Sequence, residues 1–306
     1  MTRVLVVGRE GQVARALLRR LPRDGHAVVA LEPPELDLTR PDTIAAALRE
    51  HRPALVVNAA AYTAVDRAEE QPDLADAVNN LGVGALAAAA AATGAPMVHF
   101  STDYVFDGLG GAPYAEDAAT NPLGVYGVTK LAGERAALAA QPRSAILRTA
   151  WVCSPDGGNF VKTMLRLAAE RDELRVVADQ RGAPTFADDL AEAVAAMLPR
   201  LLAAPAGDEA FGVFHLTGAP HATWHGFATA IVAGATARGH GRNPRVTAIT
   251  TAEFPTRARR PADGRLDCGR IGRVHGIRPA DWRVSLDRCL DALLMPPTGG
   301  AQGETT

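Results

Sequence analysis

The sequence predicts an α/β protein: a doubly wound parallel sheet over residues 1–150, followed by a smaller mixed lobe over 151–295 on the substrate side, some segments of which return to the sheet. Three observations predict it. Short, continuously apolar segments alternate with helical patterns through the first half, as strands covered on both faces do. The first of them ends in a glycine-bearing turn, Gly8 to Ala14, of the form G-x-x-G-x-x-A. An acid, Glu32, stands 21 residues beyond Gly11 at the end of the second apolar segment, where dinucleotide-binding folds place one. Together these point to a Rossmann arrangement.

The elements follow in order. "RVLVVG" is a strand ending in glycine, "QVARALLRRL" has helical spacing, and "HAVVALE" is the second strand. "PDTIAAALREH" is helical, with Pro41 at or next to the first helical position. "ALVVNAAA" is a strand, followed by a long alanine-rich helix to Ala92; its run Ala85 to Thr93 is too short for a membrane span and reads as a buried helix. "PMVHFST" and "SAILRTAWV" complete the strands. Beyond Trp151, "NFVKTMLRLAAE" and "DDLAEAVAAMLPRLL" are helices flanking a loop, "ADQRGAPTF". A linker-like "AAPAGDEA" then leads to "FGVFHLTG" and another helix. The tail, 296–306, has the composition of a disordered segment. No internal repeat is visible.

Composition narrows the function. The chain has 306 residues, 47% apolar and 22% charged, with a formal net charge of −2. That balance gives no global reason for nucleic-acid or membrane binding. Cys153, Cys268 and Cys289 lie far apart without metal-ligand spacing, and the N-terminus shows no signal-peptide pattern. A reduced cytoplasm is the expectation.

In a doubly wound sheet ligands sit beyond the carboxyl ends of the strands. The glycines of the first turn, Gly8 and Gly11, let backbone N–H groups approach a pyrophosphate at a helix N-terminus. Glu32 can bond ribose hydroxyls; Asp37, opening the next segment before Leu38, could equally be a turn or capping residue. Further on, "GVYGVTKLAGE" holds Tyr126 and Lys130 four residues apart, on one helix face. Lysine is rare here: Lys130 and Lys162 are the only two among 32 basic residues. An ammonium beside a phenol favours the phenolate and brings it towards the working range. A planar guanidinium does not mimic that compact charge. Thr102, ending the strand "MVHFST", can hydrogen-bond a substrate carbonyl; Ser101 is the adjacent candidate, and alternation lets only one face the site.

"GREGQV", "VVNAAAYTAVDRAE", "HFSTDYVFDG", "NPLGVYGVTKLAGE", "LRTAWV", "FVKTMLRLA", "DQRGAPT" and "PTRARRP" occur in that order. Together they resemble the dTDP-4-dehydrorhamnose reductase family of extended short-chain dehydrogenases/reductases, from residue 3 to about 294. The resemblance implies that Gly11, Gln12 and Val13 hold the cofactor pyrophosphate. It places Glu32, Asp37 and Leu38 around the adenosine, and Ala61, Tyr62 and Thr63 along the cofactor strand end. It implies hydride transfer from NADPH or NADH to C4 of a dTDP-4-keto-6-deoxy sugar. Tyr126 would protonate the alkoxide, Lys130 would tune that phenol and bond the nicotinamide ribose, and Thr102 would polarise the carbonyl. Asp103 and Trp151 would lie against the sugar, and Arg259 or Arg260 would face the diphosphate.

Departures from the family pattern shape three further expectations. Family members that bind Mg²⁺ at a dimer interface use glutamates; the matching places here are Ala16, Asp188 or Asp189, and Ala292, so no metal is expected, and a monomer or weak homodimer is. "RRPADGRL" replaces the usual "RRPxNSxL", so the sugar could differ, as in antibiotic deoxysugar precursors. Arg9, inside the glycine loop, can pair with a 2′-phosphate while Glu32 repels it, which predicts use of both cofactors. The rival readings are a reductase or epimerase on another nucleotide sugar, and a non-enzymatic subunit resembling the regulatory beta subunit of methionine adenosyltransferase.

Overall fold

The computed structural model describes residues 1–295; the tail expected to be disordered lies outside the described residues. The chain begins with β1 (Arg3–Val7), α1 (Gln12–Arg20), β2 (Ala27–Leu31), α2 (Pro41–His51) and β3 (Leu55–Asn58). Then come α3 (Val65–Ala68), α4 (Pro72–Asp76), α5 (Gly82–Ala92), β4 (Met97–Thr102), α6 (Val125–Ala140) and β5 (Ser144–Thr149). It leaves the sheet through β6 (Val152–Cys153), α7 (Phe160–Glu170), β7 (Glu173–Val177), β8 (Arg181–Gly182) and β9 (Thr185–Phe186). It returns as α8 (Ala187–Ala203) and β10 (Gly212–His215). It leaves again as β11 (Ala222–Thr223), α9 (Trp224–Ala237) and β12 (Arg245–Ile249), and ends with α10 (Gly269–His275) and α11 (Trp282–Leu294).

The main sheet is six-stranded, in the order β10-β5-β4-β3-β1-β2. Every pairing in it is parallel. Its order reverses between β1 and β3, the crevice where such sheets bind ligands. Alternation along β1 explains why both faces need cover. Val4 and Val6 pack with Leu17 of α1 and Leu190, Val194 and Leu198 of α8. Leu5 and Val7 pack with Leu48 of α2 and Leu86 and Ala87 of α5. Each such side chain, fully buried, contributes about 1.5–3 kcal/mol of transfer free energy. A third core, with Met164, Leu174, Phe227, Ile231, Trp282 and Leu286, holds the lobe together. There β7 pairs in parallel with β12, β6 with β9, and β8 runs antiparallel to β11.

Two local readings differ from expectation, and a third, the long alanine-rich helix to Ala92, holds with a π turn inside it. "SAILRTAWV" is not one strand: the sheet strand stops at Thr149, Trp151 takes a left-handed φ of 49°, and Val152–Cys153 pairs inside the lobe. The segment expected as a loop, "ADQRGAPTF", carries the two short strands β8 and β9. The alanine-rich helix is longer than its alanine run, because a π-helical turn, Ala77–Leu81, joins α4 to α5. The resulting 21-residue run, Pro72–Ala92, is long and apolar enough to cross a membrane by length and composition. Here it covers the sheet, with α5 packed between α2 and α6.

Candidate active site

The cofactor side is built from backbone. Gly11 is the N-cap of α1; no side chain caps that helix and no acid stands in its first turn. Its first N–H groups are therefore free to meet an anion. Gln12 offers only its backbone there: its amide oxygen accepts from Ser154 Oγ (3.1 Å) and Asn159 Nδ2 (2.9 Å), tying α1 to the lobe. Val13 packs against the core, and Gly8 lies against Ala60 at the end of β3. Glu32 follows β2 directly and accepts the Arg9 backbone N–H at 3.2 Å. The Arg9 guanidinium donates to Ala30 O (3.0 Å) and Glu35 (3.1 Å), along the same edge. This donor set fits a dinucleotide: free helix N–H groups for phosphate, one carboxylate and one guanidinium at the ribose position.

Asp37 behaves as a turn residue. Its carboxylate accepts from Thr39 N and Oγ1, which hold it below the usual carboxylate range. Leu38 points into the core, so only its backbone remains for an adenosine. Ala61, Tyr62 and Thr63 follow β3. Asn79, fully buried in the π turn, holds Tyr62 by both backbone groups, at 2.8 and 3.1 Å, and reaches Thr129 of α6. It thereby fixes the height of this loop against α6.

At the end of β4, Ser101 and Thr102 part ways. Ser101 bonds Glu134 behind the site. Glu134 is held by Arg148 of β5 in a bidentate pair (2.7 and 2.9 Å) whose side chains are 2% and 5% exposed. Removing one partner of such a pair costs about 3–5 kcal/mol. Thr102 instead turns to the cleft: its hydroxyl donates to Asp103 Oδ1 (3.0 Å) and accepts Tyr104 N–H (3.2 Å), capping its own turn as well. Tyr126 stands one residue into α6, its ring edge-on to Tyr104 at 5.4 Å. Gly127 makes this approach possible, since a Cβ there would meet the Tyr104 carbonyl oxygen at 2.2 Å.

The protonation pattern differs from expectation. The phenol of Tyr126 is pushed up, first by desolvation, then by the Asp103 charge; the Thr102 hydroxyl opposes the rise. Lys130 does not offset it in the cofactor-free chain. It is 1% exposed, and its Nζ donates to Phe100 O at 2.7 Å and lies 3.3 Å from His99 Nε2. Burial brings this ammonium down to about 8, against the pull of Glu134. Asp103, 3% exposed, is raised to about 7 by burial, against its hydrogen bonds from Thr102 and the backbone.

The side expected to take substrate is built from side chains of distant segments. Gly264, in the altered loop, sits against Asp103; a Cβ there would lie 2.4 Å from Asp103 Oδ2. The neighbouring Asp263 is locked onto Arg265, 2.5 Å away. Trp151 stacks on Trp224, ring centroids 3.6 Å apart, so one indole face is already covered. Arg260 is aimed by Asp66 of α3 (3.1 Å) and keeps a buried Nε without a partner. It lines a cavity of about 340 Å³ with Arg175, Trp224, Phe254 and Phe160. Arg259 is exposed.

The places matching metal ligands do not fit a cation. Ala16 is buried in the sheet core and Ala292 has no side-chain oxygen. Asp188 is paired with Arg19, and Asp189 with Ser285 and Arg288. No cluster of three or more His, Cys, Asp or Glu suited to a metal occurs among the described residues.

A parallel sheet with a free helix N-terminus at its switch point, and Thr, Tyr and Lys at the next strand end, defines the class of extended short-chain dehydrogenases/reductases. The family model for the RmlD substrate binding domain matches residues 1–295. A dTDP-4-dehydrorhamnose reductase of Sinorhizobium fredii is 47% identical over 96% of this chain and 98% of its own. The corresponding protein of Aggregatibacter actinomycetemcomitans is 43% identical over 94% and 97%. Among solved structures, a dTDP-4-dehydrorhamnose reductase from Clostridium acetobutylicum superposes with a TM-score of 0.89 at 38% identity, covering 96% of this chain and all of that one. One from Bacillus anthracis, in complex with NADP, gives 0.86 at 32% identity, covering 95% and 99%. The chain belongs to the dTDP-4-dehydrorhamnose reductase family, a family of oxidoreductases.

Sequence reasoning missed Asn79, His99, Asp66 and the Glu134–Arg148 pair. Signals existed for two of these. Glu134 extends the spacing of Tyr126 and Lys130 by another four residues, and Arg148 is a charge inside an apolar strand. Asp66 and Asn79 act across long sequence separations that no local pattern carries.

Proposed function

We propose that the protein reduces the C4 keto group of a dTDP-4-keto-6-deoxy sugar, converting dTDP-4-dehydro-L-rhamnose to dTDP-L-rhamnose, in the cytoplasm, as a monomer or weak homodimer. The observation that carries this reading is Thr102 at the end of β4 beside the Tyr126 phenol of α6, with Lys130 one turn further along that helix.

The first-turn N–H groups of α1 hold the pyrophosphate, with Glu32 and Arg9 at the adenosine ribose; together they accept NADH or NADPH. The bound dihydronicotinamide supplies a hydride to C4. Tyr126 keeps its proton until an alkoxide forms, and a phenol held up by desolvation is suited to that task, because an alkoxide is the stronger base. Thr102 steadies the carbonyl oxygen. Its single hydrogen is engaged with Asp103 while that carboxyl is charged, and protonation of Asp103 frees it for the substrate. Asp103 lies within reach of the sugar hydroxyls, and Lys130 holds the nicotinamide ribose. In the cavity, the Arg260 guanidinium takes the diphosphate, and Phe254 and Trp224 offer apolar surface to the base.

The test is oxidation of NADH and NADPH with a panel of dTDP-4-keto-6-deoxy sugars, with the product identified. Turnover of dTDP-4-dehydro-L-rhamnose above the others supports the reading; no oxidation with any of them overturns it.

A further inference from the structure

Behind Lys130, three side chains lie in a row across the sheet: Asn58 at the end of β3, His99 on β4 and Lys130 on α6, each 1% exposed or less. Oδ1 of Asn58 accepts the backbone N–H of Ala60 at 3.1 Å. That fixes the amide, because the opposite orientation would set two donors against each other. Its Nδ2 therefore donates to His99 Nδ1, 3.1 Å away. Burial, and then the Lys130 charge, hold His99 well below its ordinary range, so the ring is neutral. A neutral imidazole that accepts at Nδ1 carries its hydrogen on Nε2. Nε2 faces Lys130 Nζ at 3.3 Å.

The two forms of the lysine fit this place unequally. An ammonium has three donors and no lone pair. One hydrogen goes to Phe100 O, but towards His99 it sets donor against donor. An amine has no such conflict: its lone pair accepts Nε2–H while it still donates to Phe100 O. We propose that Asn58 and His99 are positioning residues which, through this fixed tautomer, favour the amine form of Lys130 and make its proton easy to release. The proposal rests on the reading of Lys130 as a member of the catalytic group and says what adds to burial in setting its charge.

Burial biases Lys130 the same way, but the other charged groups around it do not. Glu134, one turn further along α6, favours the ammonium, yet its carboxylate is engaged by Arg148 of β5 and Ser101 of β4. Tyr126 lies one turn earlier, and Asp103 lies past the end of β4. No carboxylate oxygen comes within ion-pair distance of Nζ among the described residues.

The chain's own composition provides the test. With only Lys130 and Lys162 present, protein labelled with ¹³C at lysine Cε gives two NMR resonances, the second an internal reference. In the cofactor-free protein Lys130 should titrate near about 8, against an ordinary 10.5. His99→Gln adds no charge and can turn its carbonyl to the ammonium, so the midpoint should rise by at least about one unit. Asn58→Leu frees the imidazole to change tautomer and should raise it likewise; it serves if the first variant does not fold. A wild-type midpoint near 10.5, or one unmoved in either folded variant, overturns the proposal. No substrate enters this measurement, so its failure is separate from failure of the catalytic reading, which turnover measures.

Discussion

On the proposed cofactor side of the cleft, the wall is main chain at adjoining strand ends: the first turn of α1, Gly8 against Ala60, and the Tyr62 backbone held by the Asn79 side-chain amide. On the proposed substrate side the wall is side chains brought from far apart in sequence, such as Arg260 held by Asp66, and Asp103 beside Gly264. Main-chain recognition tolerates substitution, since most residues keep an N–H. Side-chain recognition is lost one residue at a time. The proposed catalytic residues lie between the two, and each half should respond to mutation in its own way.

The largest effects are expected where the halves meet. Tyr126→Phe and Lys130→Arg should each lower kcat by at least about 10²-fold, with folding retained by circular dichroism. The double variant should be little worse than either, because the groups act as a unit. Near-normal turnover in folded Lys130→Arg would remove the lysine from the chemistry. On the substrate side, Arg260→Ala should raise KM for the nucleotide sugar about tenfold or more with little change in kcat, the loss of a charged hydrogen bond worth about 1.5–3 kcal/mol. An unchanged KM would move the diphosphate elsewhere.

Asp103 sharpens the comparison through pH. Its folded value, about 7, lies above an ordinary 3.8, so folding favours the protonated form. That contribution is fully present below about 3.8 and is lost as pH rises through about 7. Asp103→Asn, which cannot ionise, should flatten the fall in Tm over that window; a fall as steep in the variant would assign the effect to other groups. On the cofactor side the effects shrink. NADH and NADPH should differ in kcat/KM by less than about a hundredfold, or ~2.7 kcal/mol, because Glu32 and Arg9 act in opposite directions on a 2′-phosphate. The smallest effect is that of metal removal: EDTA should leave activity unchanged, and inactivation reversed by Mg²⁺ would show a cation site that Ala16 and Ala292 do not provide.

The same contrast explains what was legible in the sequence. The sheet strands and the G-x-x-G-x-x-A turn are contiguous and periodic, so they could be read directly. Tyr126 and Lys130 share one helix face and could be paired. The break at Trp151 could not be read, because an apolar run does not reveal a left-handed φ at its centre. Nor could the raised phenol of Tyr126, which depends on enclosure and on the charge of Asp103, 23 residues earlier in the chain. The partner of Trp151 lies 73 residues away in sequence, beyond any local pattern.

That partner has an optical consequence. Two of the three tryptophans, Trp151 and Trp224, are stacked 14° from parallel, while Trp282 meets Phe227 edge-on. Electronic transitions of closely stacked indoles couple, and in a chiral frame the coupled pair gives two circular-dichroism bands of opposite sign. A sugar ring that turned Trp151 off its partner would abolish the couplet. The protein thus carries an unlabelled spectroscopic reporter beside the cavity that Trp224 lines.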